Sequence, residues 1–175
     1  MRIVLAAALA LAAAACVPQP VPPPAPAPSP VAALPAPPVS APPPRGNDWR
    51  DWPLTPGDWT WARDARGSIA RFGVPGGAIR LALRCDAAQR RILLSVEGAT
   101  ATTLTVRTTS VTRAVPVQPA GGNPPALQAA LAADDGLLDA MGFSRGRFVI
   151  EHRGGATLVV PAWAEIERVT EDCRG

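Results

Sequence analysis

Hydrophobic and polar positions alternate most cleanly along Ile79-Arg80-Leu81-Ala82-Leu83-Arg84-Cys85, where apolar side chains fall at 79, 81, 83 and 85 and arginines at 80 and 84. A period of two puts one set on a core face and the other in solvent, so this stretch predicts a half-buried strand with Cys85 pointing inward. Residues 91–97 and 102–108 continue the texture, and their β-branched density favours strand over helix. Residues 59–63 and 68–72 predict two strands joined by a hairpin connection at Asp64-Ala65-Arg66-Gly67, and residues 111–117 a weaker strand ended by prolines. The segment before them, 47–58, is turn-rich but carries Trp49 and Trp52, which predicts an arm lying across a core edge.

Beyond Val117 the pattern changes. Gly121-Gly122-Asn123-Pro124-Pro125 predicts a loop. Leu127 and Leu131, four apart in an alanine-rich stretch, predict a short helix over 126–133, with a further helical turn over 135–142. Residues 147–151 and 157–160 form a predicted hairpin across Arg153-Gly154-Gly155. After Pro161, Trp163, Ile166, Val169 and Cys173 recur at helical spacing, which places Cys173 on the buried side of a terminal helix. The fold class expected is therefore mainly β: a small antiparallel β-sandwich or partly open barrel with short helices and a C-terminal helix.

The first 45 residues belong to none of this. After Arg2, residues 3–15 are an unbroken apolar run, too short to span a bilayer comfortably, since a helix needs about 20 such residues. The length and small-residue end predict a signal peptide over 1–15. The run ends Ala13-Ala14-Ala15-Cys16, which resembles a bacterial lipobox, although leucine is commoner where Ala13 stands. The resemblance implies acylation of Cys16 and, with non-acidic Val17 next, an outer membrane lipoprotein facing the periplasm. Cleavage without a lipid would leave the chain soluble in the periplasm. From Val17 to Pro44, 14 of 28 residues are proline. Half the amide donors are missing, so neither helix nor ladder is expected there; polyproline II with a reach of about 80 Å makes 16–45 a lipid-anchor cysteine and tether. One disulfide-closed β domain, 46–175, remains.

Three cysteines are an odd count for an exported chain. If Cys16 takes lipid, Cys85 and Cys173 are left as a pair, and an oxidising compartment favours their disulfide. Two thiols and a single distant histidine do not make a zinc shell, and no cofactor is expected. All 17 basic residues are arginine, which alongside abundant Ala, Pro and Gly reflects base composition and carries no nucleic-acid signature. Their distribution says more. Residues 45–113 hold 11 Arg against 6 acids, and residues 114–175 hold 5 against 8. Arg80, Arg84 and Arg91 fall on outward strand positions, with Arg63 and Arg107 as neighbours. Such a stripe is usually a solvated face; the functional alternative is a docking surface for an anionic envelope polymer, lipid headgroup or acidic protein.

One catalytic pattern occurs. Gly142-Phe143-Ser144-Arg145-Gly146 matches the G-x-S-x-G elbow of α/β-hydrolases, which needs a strand before the serine and a helix after it. Here the predicted order is reversed, and the lone His152 falls in the following strand, so a glycine turn explains the match better. Asp134, Asp135 and Asp139 lack the oxygen-rich loop that calcium requires and read as helix caps.

The segments Leu137-Leu138-Asp139-Ala140-Met141-Gly142, Arg145-Gly146-Arg147-Phe148-Val149-Ile150, Leu158-Val159-Val160-Pro161-Ala162-Trp163-Ala164-Glu165-Ile166 and Asp172-Cys173, together with Asp48-Trp49-Arg50-Asp51-Trp52-Pro53, resemble an uncharacterised group of alphaproteobacterial envelope lipoproteins. The C-terminal third is also similar to periplasmic proteins of the invasion-associated locus B type, which place a two-strand unit before a helix ending in cysteine. The Trp-rich opening is not part of that second pattern. The resemblance implies a small β-sandwich-like fold and supplies no active site. The function expected is that of a non-enzymatic envelope lipoprotein acting as a binding or accessory module; the alternative is a small envelope hydrolase using Ser144.

Overall fold

The computed structural model describes residues 46–175. The expected signal peptide, the lipid-anchor Cys16 and the proline-rich tether lie outside the described residues. Ten strands form two antiparallel sheets. The six-stranded sheet contains β1 (Asp58–Asp64), β2 (Gly67–Gly73), β3 (Ile79–Asp86), β4 (Arg91–Glu97), β7 (Gln118–Gly121) and β8 (Ala126–Ala132), in the order β1-β2-β3-β4-β8-β7. The four-stranded sheet contains β5 (Thr103–Arg107), β6 (Thr112–Pro116), β9 (Arg147–His152) and β10 (Leu158–Pro161), in the order β10-β9-β5-β6. Two helices complete it, α1 (Gly136–Gly142) and α2 (Ala164–Arg174). The chain is mainly β, as its alternation predicts, and neither sheet closes into a barrel.

The core lies between the inner faces. Leu81, Leu83 and Cys85 of β3 and Ile92, Leu94 and Val96 of β4 meet Leu104, Val106, Phe148 and Ile150 of the smaller sheet, all essentially inaccessible to solvent. Each such aliphatic side chain contributes about 1.5–3 kcal/mol by leaving water. Trp59 bridges the two layers: its ring sits 5.5 Å from that of Phe72, and its indole N–H donates to the Pro161 carbonyl at 2.9 Å.

Helix α2 covers the β1–β3 end of the larger sheet. It buries Ile166, Val169, Thr170 and Cys173, and the Cys85–Cys173 disulfide clips it to β3 across a Cα–Cα distance of 5.3 Å. Its outer side is tied to β1 by Trp61, whose N–H donates to Asp172 at 3.2 Å while Arg168 stacks 3.5 Å from the ring centroid. Trp163 does not share the buried stripe. It occupies the N-cap position and is 46% exposed, because the helix begins only at Ala164.

Two expectations are corrected. Residues 126–133 are not a helix but the strand β8, paired along its whole length with β4 from Arg91↔Ala132 to Glu97↔Ala126. A spacing of four is even, so Leu127 and Leu131 share a strand face as readily as a helix face. With Ala129 they complete the core surface beside Ile92, Leu94 and Val96, which overrides the helical preference of alanine. The predicted loop also begins late: β7 pairs with β8 through Gly121, with a register shift between Pro119 and Gly121.

The Trp arm goes further than a core edge. Trp49 is buried against Val149 and Val159 on the outer face of the four-stranded sheet, with Trp52 beside it. Thr55 fastens the arm to β10: its N–H donates to the Val159 carbonyl at 2.8 Å and its hydroxyl accepts the Val159 N–H at 2.9 Å.

Candidate functional site

The Trp arm covers the outer face of the four-stranded sheet over β9 and β10, and the broader open surface is the outer face of the six-stranded sheet. The register puts even residues of β1, β3 and β8 and odd residues of β2 and β4 on it. Arg80, Arg84 and Arg91 therefore share this face, Arg80 and Arg84 lying four apart on β3 and so about 13 Å from each other along the strand. The pairing also brings acids that phase alone did not reveal. Arg80 Nε lies 3.1 Å from Glu97 Oε2, and Arg84 Nη1 lies 2.9 Å from Asp64 Oδ2. Arg91 is exposed and stands across the ladder from Asp86, whose carboxylate accepts the Gln89 N–H at 3.2 Å. Among the described residues Arg91 makes no ion pair. Arg71, Arg80, Arg84 and Arg91 thus stand among Asp58, Asp64, Asp86 and Glu97, so formal charge on the face is balanced. The carboxylate of Asp64 is held below the usual range by the Arg66 backbone N–H and then by Arg84. Between the charges lie Ala82, Leu93, Ser95, Ala126 and Ala130, small or apolar side chains that leave the ladder accessible. Of the neighbours named for the stripe, Arg63 turns to the inner side and pairs with Asp172. Arg107 belongs to the other sheet, where it lies 3.3 Å from Glu151.

Two depressions adjoin the Arg80–Glu97 pair. A shallow trough of about 470 Å³ runs over Ile79, Ala82, Ser95 and Ala126 to the turn at Asn123, Pro124 and Pro125. A smaller cleft of about 210 Å³ lies where the end of β4 meets the β9–β10 connection, lined by Arg80, Glu97, Gly98, Gly154, Gly155, Ala156 and Leu158. His152 forms the back of this junction. Its Nε2 is 3.1 Å from the Glu97 carbonyl and its Nδ1 is 3.2 Å from the Arg153 carbonyl. A Cβ at Gly98 or Gly155 would collide with the imidazole, so both positions require glycine for the ring to sit there. Sequence reasoning missed this junction. Its glycines are ordinary turn residues in one dimension, and 55 residues separate Glu97 from His152.

Ser144 is placed elsewhere. It follows α1 and precedes β9, a helix–turn–strand order opposite to that of a nucleophile elbow. The residue is 5% exposed, and its hydroxyl donates to the Arg147 carbonyl at 2.6 Å and accepts the Thr109 N–H at 3.1 Å. Asp135 caps α1, accepting the Leu137 N–H at 2.8 Å, and forms a two-pronged pair with Arg113 at 2.8 Å on both oxygens.

Fold and face together define a two-sheet antiparallel β-sandwich with a covalently clipped terminal helix and a broad open face on the larger sheet. Set beside family models, curated proteins and solved structures, this chain matches none of them. No helix among the described residues is long and apolar enough to cross a membrane.

Proposed function

We propose that this chain is a non-enzymatic cell-envelope lipoprotein, held in the outer membrane through Cys16, whose β domain is a binding or accessory module on the periplasmic side. The observation that carries the reading is the partition of the cysteines. Cys85 and Cys173 are joined to each other, which leaves Cys16 as the odd one, directly after an apolar run and ahead of a proline-rich stretch. The uncovered face of the six-stranded sheet is the docking surface, with Arg80, Arg84 and Arg91 as its cationic contacts for an anionic envelope polymer or protein. Guanidinium forks suit carboxylates and phosphates, and Arg91 holds its charge without an acidic partner among the described residues. The balanced charge of the face makes this attraction local, confined to single arginines and easily screened by salt. Ser144's committed hydroxyl favours this reading over a small hydrolase.

Fractionation of cells carrying the wild type and Cys16→Ser tests the anchor. The wild type is expected in the membrane fraction with lipid mass on its first residue, and the variant in the soluble fraction. Soluble wild type with an unmodified first residue would overturn it. Co-sedimentation with peptidoglycan at low and high salt tests the face, with an Arg80/Arg84/Arg91→Ser variant beside it. Equal binding by both proteins, or none at low salt, rejects the docking surface.

A further inference from the structure

We propose that the cleft at the end of β4 is a binding site for an α-amino-acid head group, one carbon carrying both an ammonium and a carboxylate. The inference rests on the binding-module reading and names what one part of the open face recognises. Three features lead to it. The cleft's charged lining is one cation and one anion side by side, Arg80 and Glu97, with side chains one-third and two-fifths exposed. Their pairing is by proximity alone: the Arg80 Nε–H is buried and makes no hydrogen bond, although the Glu97 carboxylate is 3.1 Å away. The terminal Nη groups of Arg80 are not buried and make no hydrogen bond with a described residue, so a ligand carboxylate can take them without breaking one. A ligand ammonium then takes Glu97, and one ion pair is exchanged for two of like kind.

The second feature is close packing. The His152 ring packs against Gly98 and Gly155, with its two nitrogens 3.1 and 3.2 Å from the Glu97 and Arg153 carbonyls. A close-packed wall lowers the ordering cost of association. The third is size. A cleft of about 210 Å³ has the volume of about seven liquid waters. Glycine rims and the Ala156 and Leu158 wall leave room for the head group and a side chain that leads out to solvent. Neither a lone anion nor a lone cation fits as well, because each would leave one member of the Arg–Glu pair facing a like charge or nothing.

The head group can arrive as a free small amino acid or on the side chain of an envelope peptide, and the test separates these. The full chain is titrated by ¹H–¹⁵N NMR with alanine, N-acetylalanine, alanine amide and a γ-glutamyl peptide that keeps both α-groups free. Alanine or the γ-glutamyl peptide is expected to shift the Gly98, Gly154 and Gly155 amides and Arg80 Nε saturably. Blocking either charge should weaken binding at least about tenfold, the loss expected for one charged hydrogen bond. Arg80→Gln and Glu97→Gln should each do the same, while Arg91→Ser leaves the titration unchanged. Response to alanine assigns a free amino acid; response to the γ-glutamyl peptide alone assigns a peptide-borne group. Equal binding of the capped and uncapped compounds, or no shift up to the solubility limit, overturns the inference without needing any variant. Salt-sensitive co-sedimentation that persists while the cleft stays silent also overturns it, yet leaves the docking face standing.

Discussion

The two sheets treat their outer faces in opposite ways. On the smaller sheet, Val149 and Val159 are apolar on the side away from the core, and Trp49 and Trp52 close over them. On the larger sheet the corresponding side carries Arg71, Arg80, Arg84 and Arg91 among small residues and acids, and no segment of the described chain covers it. Strand composition explains the contrast. Phe148-Val149-Ile150 and Leu158-Val159-Val160 are continuous apolar runs, the mark of strands buried on both faces, whereas β3 alternates and satisfies water on one side. The larger sheet therefore offers the broader open surface, while on the smaller one Thr103, Thr112 and Ala114 of β5 and β6 remain exposed beside the covered strands. Ile69 is the exception that supports the rule: it is apolar on the open face, only 7% exposed, and sits beside Arg84, whose long stem can shelter it.

The covers differ in kind, α2 being covalent and the arm not, and the strongest perturbation acts on the first. Cys173→Ser, or reduction, releases a closure spanning 88 residues. The chain-entropy model sets its worth at no more than about 4–5 kcal/mol. Urea melts with and without reductant should show most of that loss, and thiol titration of the unfolded, unreduced wild-type domain should find neither Cys85 nor Cys173 free. Two reactive thiols would remove the clip from the description.

Next in size is Trp49→Ala, expected to cost about 3 kcal/mol as a buried aromatic truncated against Val149 and Val159. A loss below about 0.5 kcal/mol in the same melts would mean the arm is not a cover, and the contrast between the faces would fail.

Two carboxylates on the helical side sharpen it through pH. Asp135 is held below its ordinary value first by its hydrogen bonds to Arg113, with the Leu137 N–H adding to them. A lowered folded value means stability present above the unfolded value near 3.8 and lost as pH falls through the folded one. Asp135→Ala should cost about 1 kcal/mol at neutral pH, and the difference should shrink in acid. Glu167 has the opposite sign. Burial raises it above its ordinary 4.5, Asp139 adds to the rise, and its Oε1 is buried without a hydrogen bond against Gly142. Its protonated form favours the fold, a contribution present below the unfolded value and lost as pH rises through the folded one. Glu167→Gln should therefore raise the melting temperature at neutral pH and change little below pH about 4. No gain at neutral pH would show that the carboxylate finds a partner in solution.

The smallest effect belongs to the open face. Arg91→Ser should alter stability by less than about 0.5 kcal/mol, since the side chain is solvated and unpaired among the described residues. A larger loss would mean that Arg91 supports the fold, and its place in a docking surface would need another explanation.

Much of the architecture was legible because alternation is local. Strands β1 to β5, the β9–β10 hairpin and the terminal helix all follow from side-chain period, turn residues and β-branching. The Cys85–Cys173 pair was legible too, since each residue's phase within its own element points it inward. Legibility failed where two periods coincide. Leu127 and Leu131 satisfy both a helix and a strand, and alanine tips the local balance toward helix; only the open edge of β4, which needs a ladder partner, decides for strand. The outward arginines Arg80, Arg84 and Arg91 were placed on the right side of β3 and β4, while their acidic neighbours Asp64 and Glu97 were invisible because the contacts follow from strand pairing.

The sequence alone determined a mainly β domain and the facing of Cys85, Cys173, Arg80, Arg84 and Arg91, because each depends on the order of neighbouring residues. The tertiary structure alone decided that β8 is a strand, that Trp49 covers the β9–β10 side of the smaller sheet, that Asp64 and Glu97 neutralise two of the arginines, and that Gly98, His152 and Gly155 meet at one cleft. Those outcomes depend on contacts between residues tens of positions apart. A chain read in order carries no term for them until burial and unpaired hydrogen-bonding groups bring the strands together.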